Sequence, residues 1–451
     1  MLGIKDLLLT PVYLFTIYII AFIYRSKFVK NKEDKKYFIY GLTLKLIGAI
    51  FLGLIYQFYY NGGDTANYFN DISVIYNSFF KDPSIALKLI TYNNTEYKPE
   101  LYPYLSNMIF AKDAPSYFVV RLGAILALFS FGTYTIISLG FAILSFISIW
   151  LFYTASTKLF PDLKKEFAIS IFFIPSIFFW GSGLMKDSIT FGAVAITFFA
   201  FHRFFLEKKK KITDIFLLVI GIYILKTVKI YIALCLIPSL MLYLYVVYYN
   251  RITSRALRIL IKPLLLIMLT GLSYYTIAEL SKENSLYRLD KLAETARTTA
   301  GWINYVSEQQ GGSSYSLGNY DATLSGILMK APEAIWVTLF RPYIWESKNI
   351  IMLLSAFESF FFLFLTLKAI YKLGFVRLYK EIKSIPYVQF SLLFSLSFSF
   401  AVGISTYNFG SLVRYKIPMM PFYLSSIYVL SNTPQKTKLS FRRKKGVNTL
   451  K

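Results

Sequence analysis

Phe179-Trp180-Gly181-Ser182-Gly183-Leu184-Met185-Lys186-Asp187-Ser188 is the one interruption in an apolar run from Ile169 to Phe201. Each flank holds roughly 10 to 15 residues of Ile, Phe, Ala and Val, fewer than the ~20 of a straight bilayer crossing. Charge is costly in hydrocarbon, so Lys186 and Asp187 belong where two helices meet at a membrane face or a water-filled cavity. Gly181 and Gly183 free the backbone for a turn, and Asp187 or Ser188 is placed to cap the returning helix. A lysine beside a helix N-terminus suits an anion. The plainer reading of the same residues is a hairpin turn with a snorkelling lysine.

The rest of the 451-residue chain sets the class. It is 56% hydrophobic and 19% aromatic, with a mean hydropathy of +0.51. Repeated apolar segments near 20 residues predict an all-α, polytopic integral membrane bundle. The net charge of +25 does not point to nucleic acid, because the lysines and arginines cluster in short loops between apolar spans, as the positive-inside rule requires. One cysteine, Cys235, excludes an intramolecular disulfide, and one histidine, His202, beside Arg203, excludes Ser-His-Asp triads and Cys/His zinc sites.

In chain order, Leu7 to Tyr24 reads as an uncleaved anchor, since its positive charge follows the apolar core rather than preceding it. Phe38 to Tyr60 returns, with Lys45 expected to snorkel to the inner interface. Phe118 to Ser130 reads as re-entrant or interfacial, and Thr133 to Ala155 as a full span. The hairpin through residues 169–201 follows. Then come Ile212 to Leu225, Ile230 to Tyr249, Pro263 to Leu280, Ile350 to Tyr371, Pro386 to Ser405 and Ile417 to Leu430. About eleven spans result, N-terminus out and C-terminus in. Residues 1–431 form one membrane domain with outer loops at 61–132 and 281–348, the second holding the flexible Gly311-Gly312-Ser313-Ser314. Residues 432–451 form a basic cytoplasmic tail.

Sorted by side, the polar residues at span boundaries fall mostly on the outer face. Asp64 and Tyr68, four apart, share a face if the loop opens as a helix; Lys226 and Lys229, three apart, do likewise. With Arg121, Lys186, Arg341, Arg414 and Lys416 they make a ring of cations around the candidate catalytic carboxylates Asp64 and Glu346. Such a ring suits a lipid-linked pyrophosphate sugar: cations hold the pyrophosphate and a carboxylate deprotonates the acceptor hydroxyl. Interfacial Lys, Arg, Trp and Tyr also serve as plain membrane anchors, and Arg341 and Glu346 can simply pair. Glu358, some two turns into a span, needs a partner or water, and Ser355 is one candidate.

Gly62-Gly63-Asp64-Thr65-Ala66-Asn67-Tyr68-Phe69 resembles the acidic first-outer-loop motif of bacterial polysaccharide polymerases of the EpsG and O-antigen polymerase type. More loosely it resembles the acidic loop of GT-C membrane glycosyltransferases. In those the acid follows the first span and here it follows the second, so the polymerase group is the closer match. The Trp180–Asp187 turn, Arg341-Pro342-Tyr343-Ile344-Trp345-Glu346 and Val413-Arg414-Tyr415-Lys416-Ile417-Pro418 resemble features of related envelope proteins. The resemblance implies a glycan polymerase or glycosyltransferase of the bacterial inner membrane, working in envelope or exopolysaccharide synthesis. Its substrate would be a lipid-linked oligosaccharide, with Asp64 as base, arginines on phosphate, and export or chain-length proteins as partners alongside membrane lipids. The sequence calls for no cofactor and leaves a divalent metal on Asp64 open. A flippase or transporter for an anionic glycolipid and a non-catalytic envelope assembly component are the other readings.

Overall fold

A computed structural model describes residues 1–93, 98–207, 211–252, 254, 257, 263–264, 266–267, 270–271, 274, 292–309, 313–318, 321 and 323–432. The expected span Pro263 to Leu280 lies largely outside the described residues. So do the start of the second outer loop, Gly311-Gly312, three of the lysines after Glu207 and nearly all of the basic tail.

Among the described residues the regular structure is all helical, apart from one bridged pair, Ser314 with Asn408. Helix α1 is Ile4–Phe28, α2 Lys32–Phe58, α3 Asp64–Lys81, α4 Pro83–Thr91, α5 Tyr102–Leu105, α6 Ala114–Phe129 and α7 Tyr134–Leu159. Then come α8 (Lys164–Ala168), a π-turn at Ile169–Phe173, α9 (Pro175–Phe179), α10 (Lys186–Phe201), α11 (Ile212–Val228) and α12 (Ile230–Arg251). Helix α13 is Leu292–Gln309, α14 Leu324–Met329, α15 Ala331–Phe340, α16 Ile350–Ser384, α17 Pro386–Thr406, α18 Phe409–Tyr415 and α19 Met420–Asn432. Seven of these, α1, α2, α7, α10 with its extension to Leu206, α12, α16 and α17, are long and apolar enough to cross a membrane. The expected spans at Ile212 and Ile417 appear as helices of 17 and 13 residues.

Local chemistry explains most boundaries. Asn31, Asp82, Asp113, Asn349 and Asn408 each accept a hydrogen bond from a backbone N–H in the first turn of the helix they precede. After α2, Asn61, Gly62 and Gly63 take positive φ of 53°, 134° and 113°. Two consecutive glycines make this reversal cheap, and it delivers Asp64 to the first turn of α3.

Helix α10 packs on α7 and α11, α2 packs on α7, and α17 packs on α12, α13, α15 and α19. The two groups meet through aromatic rings: Phe198 of α10 lies 5.3 Å from Phe390 of α17, and Phe152 of α7 lies 4.7 Å from Phe422 of α19. Since lipid is as apolar as these cores, close approach must come from small residues. Gly192 sits against Ser145 and Ser148, Gly221 against Thr197, and Gly403 against Thr338.

Lys45 departs from expectation. It does not snorkel; its side chain is buried in the middle of α2, and Nζ donates to Gly181 O at 2.5 Å, Ser145 Oγ at 3.1 Å and Ile177 O at 3.2 Å. The cause is the broken helix beside it. Pro175 and the turn at 180–185 leave carbonyls of α9 without intrahelical donors, and the lysine supplies them where water is scarce. A side chain at Gly48 would run into the Phe178 carbonyl, so glycine lets α2 reach that turn.

Candidate functional site

The N-termini of α3, α10 and α18 and the C-termini of α2 and α11 converge at one end of the bundle, opposite the basic loops. Arg414, near the end of α18, is the hub. Its Nη2 donates to Asp64 Oδ2 at 3.0 Å, its Nε to Asp187 Oδ2 at 3.3 Å, and its Nη1 reaches Tyr56 Oη at 3.5 Å. The guanidinium lies 5.6 Å above the Trp180 ring. Asp187 Oδ1 also accepts from Lys229 Nζ at 2.5 Å, and that ammonium sits 4.4 Å over the Tyr415 ring. Burial alone would lower the Arg414 pKa, but Tyr56, Asp187 and Asp64 around it raise it well above its ordinary value. Arg414 is therefore a permanent cation.

Asp187 is not the cap it was expected to be. Met185 precedes the helix, and the Asp187 carboxylate in its first turn is spent on two cations. Its side chain is 2% exposed, whereas that of Asp64 is 48% exposed. One carboxylate is the buried keystone and the other stands at the mouth of the site.

Lys186 turns to a neighbouring group. Its Nζ lies 3.0 Å from Asp113 Oδ2, which also takes the Ser116 hydroxyl; Tyr68 donates to that hydroxyl at 3.4 Å. Burial would raise the Asp113 pKa, yet Ser116 and Lys186 hold it below its usual value, while burial raises that of Tyr68. Asp113 and Ser116 escaped the sequence reading. Their signal was Asp113-Ala114-Pro115-Ser116, an N-cap followed by a first-turn proline. Tyr68 and Lys186 thus meet through an acid and a hydroxyl three residues apart.

At Lys416 the chain joins a second cluster. Arg341 Nε donates to Glu346 Oε2 at 3.1 Å and its Nη2 to Oε1, while Tyr343 N–H donates to Oε2 at 2.7 Å. Burial opposes the charge on Arg341, and Glu346 outweighs it and raises the pKa. Arg341 and Glu346 do pair, and among the described residues no hydrogen bond or ion pair joins Glu346 to Asp64. Lys416 Nζ reaches Ser359 Oγ at 3.1 Å and Arg341 O at 3.4 Å. Burial lowers the Lys416 pKa to about 8 against the opposing charge of Glu358. Glu358 Oε2 accepts from Ser176 N–H at 2.9 Å, not from Ser355.

Arg121 stacks on Tyr117 at 4.9 Å, and no hydrogen bond or ion pair among the described residues joins it to Asp64, Asp187 or Arg414. Lys226 lies half-buried on the last turn of α11, one turn before Lys229. Three cations of the expected ring are charge-balanced, Arg414, Lys229 and Lys186 matched by Asp64, Asp187 and Asp113.

Asp64 and Arg414 line an open cleft of about 670 Å³, together with Tyr56, Tyr60, Trp180 and Trp302. Among the described residues no three His, Cys, Asp or Glu side chains converge as a metal-binding set. No family model, curated protein or solved structure matches the chain.

Proposed function

We propose that the chain is a membrane glycan polymerase or glycosyltransferase acting on a lipid-linked pyrophosphate oligosaccharide in envelope or exopolysaccharide synthesis. The observation that carries this reading is a half-exposed carboxylate, Asp64, resting on a mostly buried arginine, Arg414, in an open cleft with aromatic walls. With the basic loops assigned to the inside, the cleft opens outward, and the eleven-span, N-out arrangement in a bacterial inner membrane belongs to the same proposal.

Because the cluster is neutral, an anionic substrate enters by exchange. The pyrophosphate takes the place of Asp64 on Arg414, with Lys229 behind it, as a charge-assisted contact. The released Asp64 carboxylate then accepts the proton of the acceptor hydroxyl. The new glycosidic C–O bond forms as the anomeric C–O bond to pyrophosphate breaks, and the departing charge stays on the cations. Tyr56, Tyr60, Trp180 and Trp302 offer flat apolar faces to the sugar rings. A flippase would need charged residues lining a path past mid-membrane. Lys45, the buried lysine at that depth, is closed off by three hydrogen bonds and does not line the cleft.

Replacing Asp64 by Asn in the native host tests the proposal. Single repeat units on the lipid carrier should accumulate while the protein stays at its normal level. Long chains of normal distribution in that strain would remove Asp64 as the base, and substrate trapped on the inner leaflet would point to transport instead.

A further inference from the structure

At the opposite, basic end a second cavity of about 260 Å³ opens between the last turns of α1 and α7, the first turn of α2 and the end of α10. Lys30, Lys158 and Arg203 line it against one carboxylate, Asp34. That acid is already engaged: Asp34 Oδ2 lies 3.2 Å from Lys164 Nζ, and Oδ1 accepts from the Tyr153 hydroxyl at 3.1 Å. Arg203 is braced from behind, with Nε 3.3 Å from the buried Asp214 Oδ1 and the guanidinium 5.0 Å over the Phe199 ring. Lys158 meets Glu207 at 3.5 Å with more than half its side chain exposed. Lys30 is exposed and has no ion-pair partner among the described residues.

The walls are as informative as the charges. Tyr24 and Phe28 of α1 form one side, and the same helix leaves Phe15, Ile19, Phe22 and Ile23 exposed. In a membrane-spanning helix those residues face acyl chains. A cationic cavity at the end of a lipid-facing helix fits a ligand with an anionic phosphate at one end and hydrocarbon at the other.

We propose that this cavity binds the headgroup of an anionic phospholipid, its phosphate held by Lys30, Lys158 and Arg203 and its chains lying along α1. Soluble phosphates share the headgroup chemistry but would leave the α1 face unused. A zwitterionic headgroup brings its own cation beside the exposed Lys30 and Lys158. The site is far from the Asp64 cleft, so its test is independent of the proposed glycan chemistry.

Native mass spectrometry of the full-length detergent-solubilised protein, titrated with phosphatidylglycerol, phosphatidylcholine or glycerol phosphate, measures each affinity. The double variant Lys30→Gln/Lys158→Gln leaves the Arg203–Asp214 contact intact and so keeps the fold out of question. Each lost cation should weaken phosphatidylglycerol binding about 5-fold, on the order of 25-fold together, with phosphatidylcholine unchanged. Unaltered phosphatidylglycerol binding by the variant would overturn the site. Glycerol phosphate binding as tightly as the lipid would overturn the lipid as its ligand.

Discussion

Arg414 and Arg341 both hold a carboxylate at the same end of the bundle, yet they sit in opposite circumstances. Arg341 has its guanidinium matched to Glu346 through two nitrogens, with a backbone N–H completing the carboxylate. Both side chains are mostly covered, at 22% and 17% exposure. Arg414 divides itself between Asp187, sealed inside, and Asp64, half in solvent and lining the cleft. A fully matched pair is a clamp. A cation with one sealed and one open partner can exchange the open one without losing its position. The short helix α18 and Lys416 tie the two clusters together, since Lys416 bonds the Arg341 carbonyl two residues beyond Arg414.

The largest effect expected from this contrast lies within the Arg414 cluster. Asp187→Asn strands two buried cations and should cost roughly 3–5 kcal/mol of stability. Asp64→Asn loses only an open partner and should cost about 1 kcal/mol or less. Thermal unfolding of the two variants in the same detergent checks this, and equal losses would break the distinction between keystone and exchangeable acid. Next comes the clamp: Glu346→Gln should destabilise by about 1–3 kcal/mol, because Arg341 keeps its charge without a matched acceptor, while glycan elongation persists in the folded fraction. Elongation lost at undiminished stability would return Glu346 to the catalytic role first expected of it.

The smallest effect is on pH. The Asp113 carboxyl is depressed in the folded protein, so its contribution is present above the unfolded value of about 4. It is lost as pH falls through the lower folded value. With half the Asp113 side chain exposed, screening keeps the term under about 1 kcal/mol. Unfolding temperatures of the wild type should fall slightly more steeply than those of Asp113→Asn as pH drops below 4. Parallel curves would mean that the Lys186 contact contributes nothing.

Individual residues show how much could be read in advance. Asp64 and Tyr68 were expected on one helical face, and α3 does begin at Asp64, because a glycine turn followed by an acid is a local signal. Lys229 was expected in the outer ring of cations, and what it meets is Asp187, which local spacing had cast as a cap. Lys45 was misplaced for a related reason. Snorkelling is the default for an isolated lysine in a span, and the carbonyls that retain it come from a broken helix more than 130 residues away. Arg121 carried the same outward-cation pattern as Arg414, and only packing separates the two.

By itself, then, the amino-acid order determined the all-α class, the long apolar helices suited to a membrane and the separation of basic loops from mixed-charge ones. Hydropathy and first-turn hydrogen bonding act over one to twenty residues, and those lengths are written in the chain directly. Which acid meets which cation was decided only by the tertiary structure. Arg414 finds Asp64 and Asp187 across 350 and 227 residues, a choice set by how α2, α3, α10 and α18 pack. That same packing leaves Asp64 at the water and puts Asp187 beyond its reach.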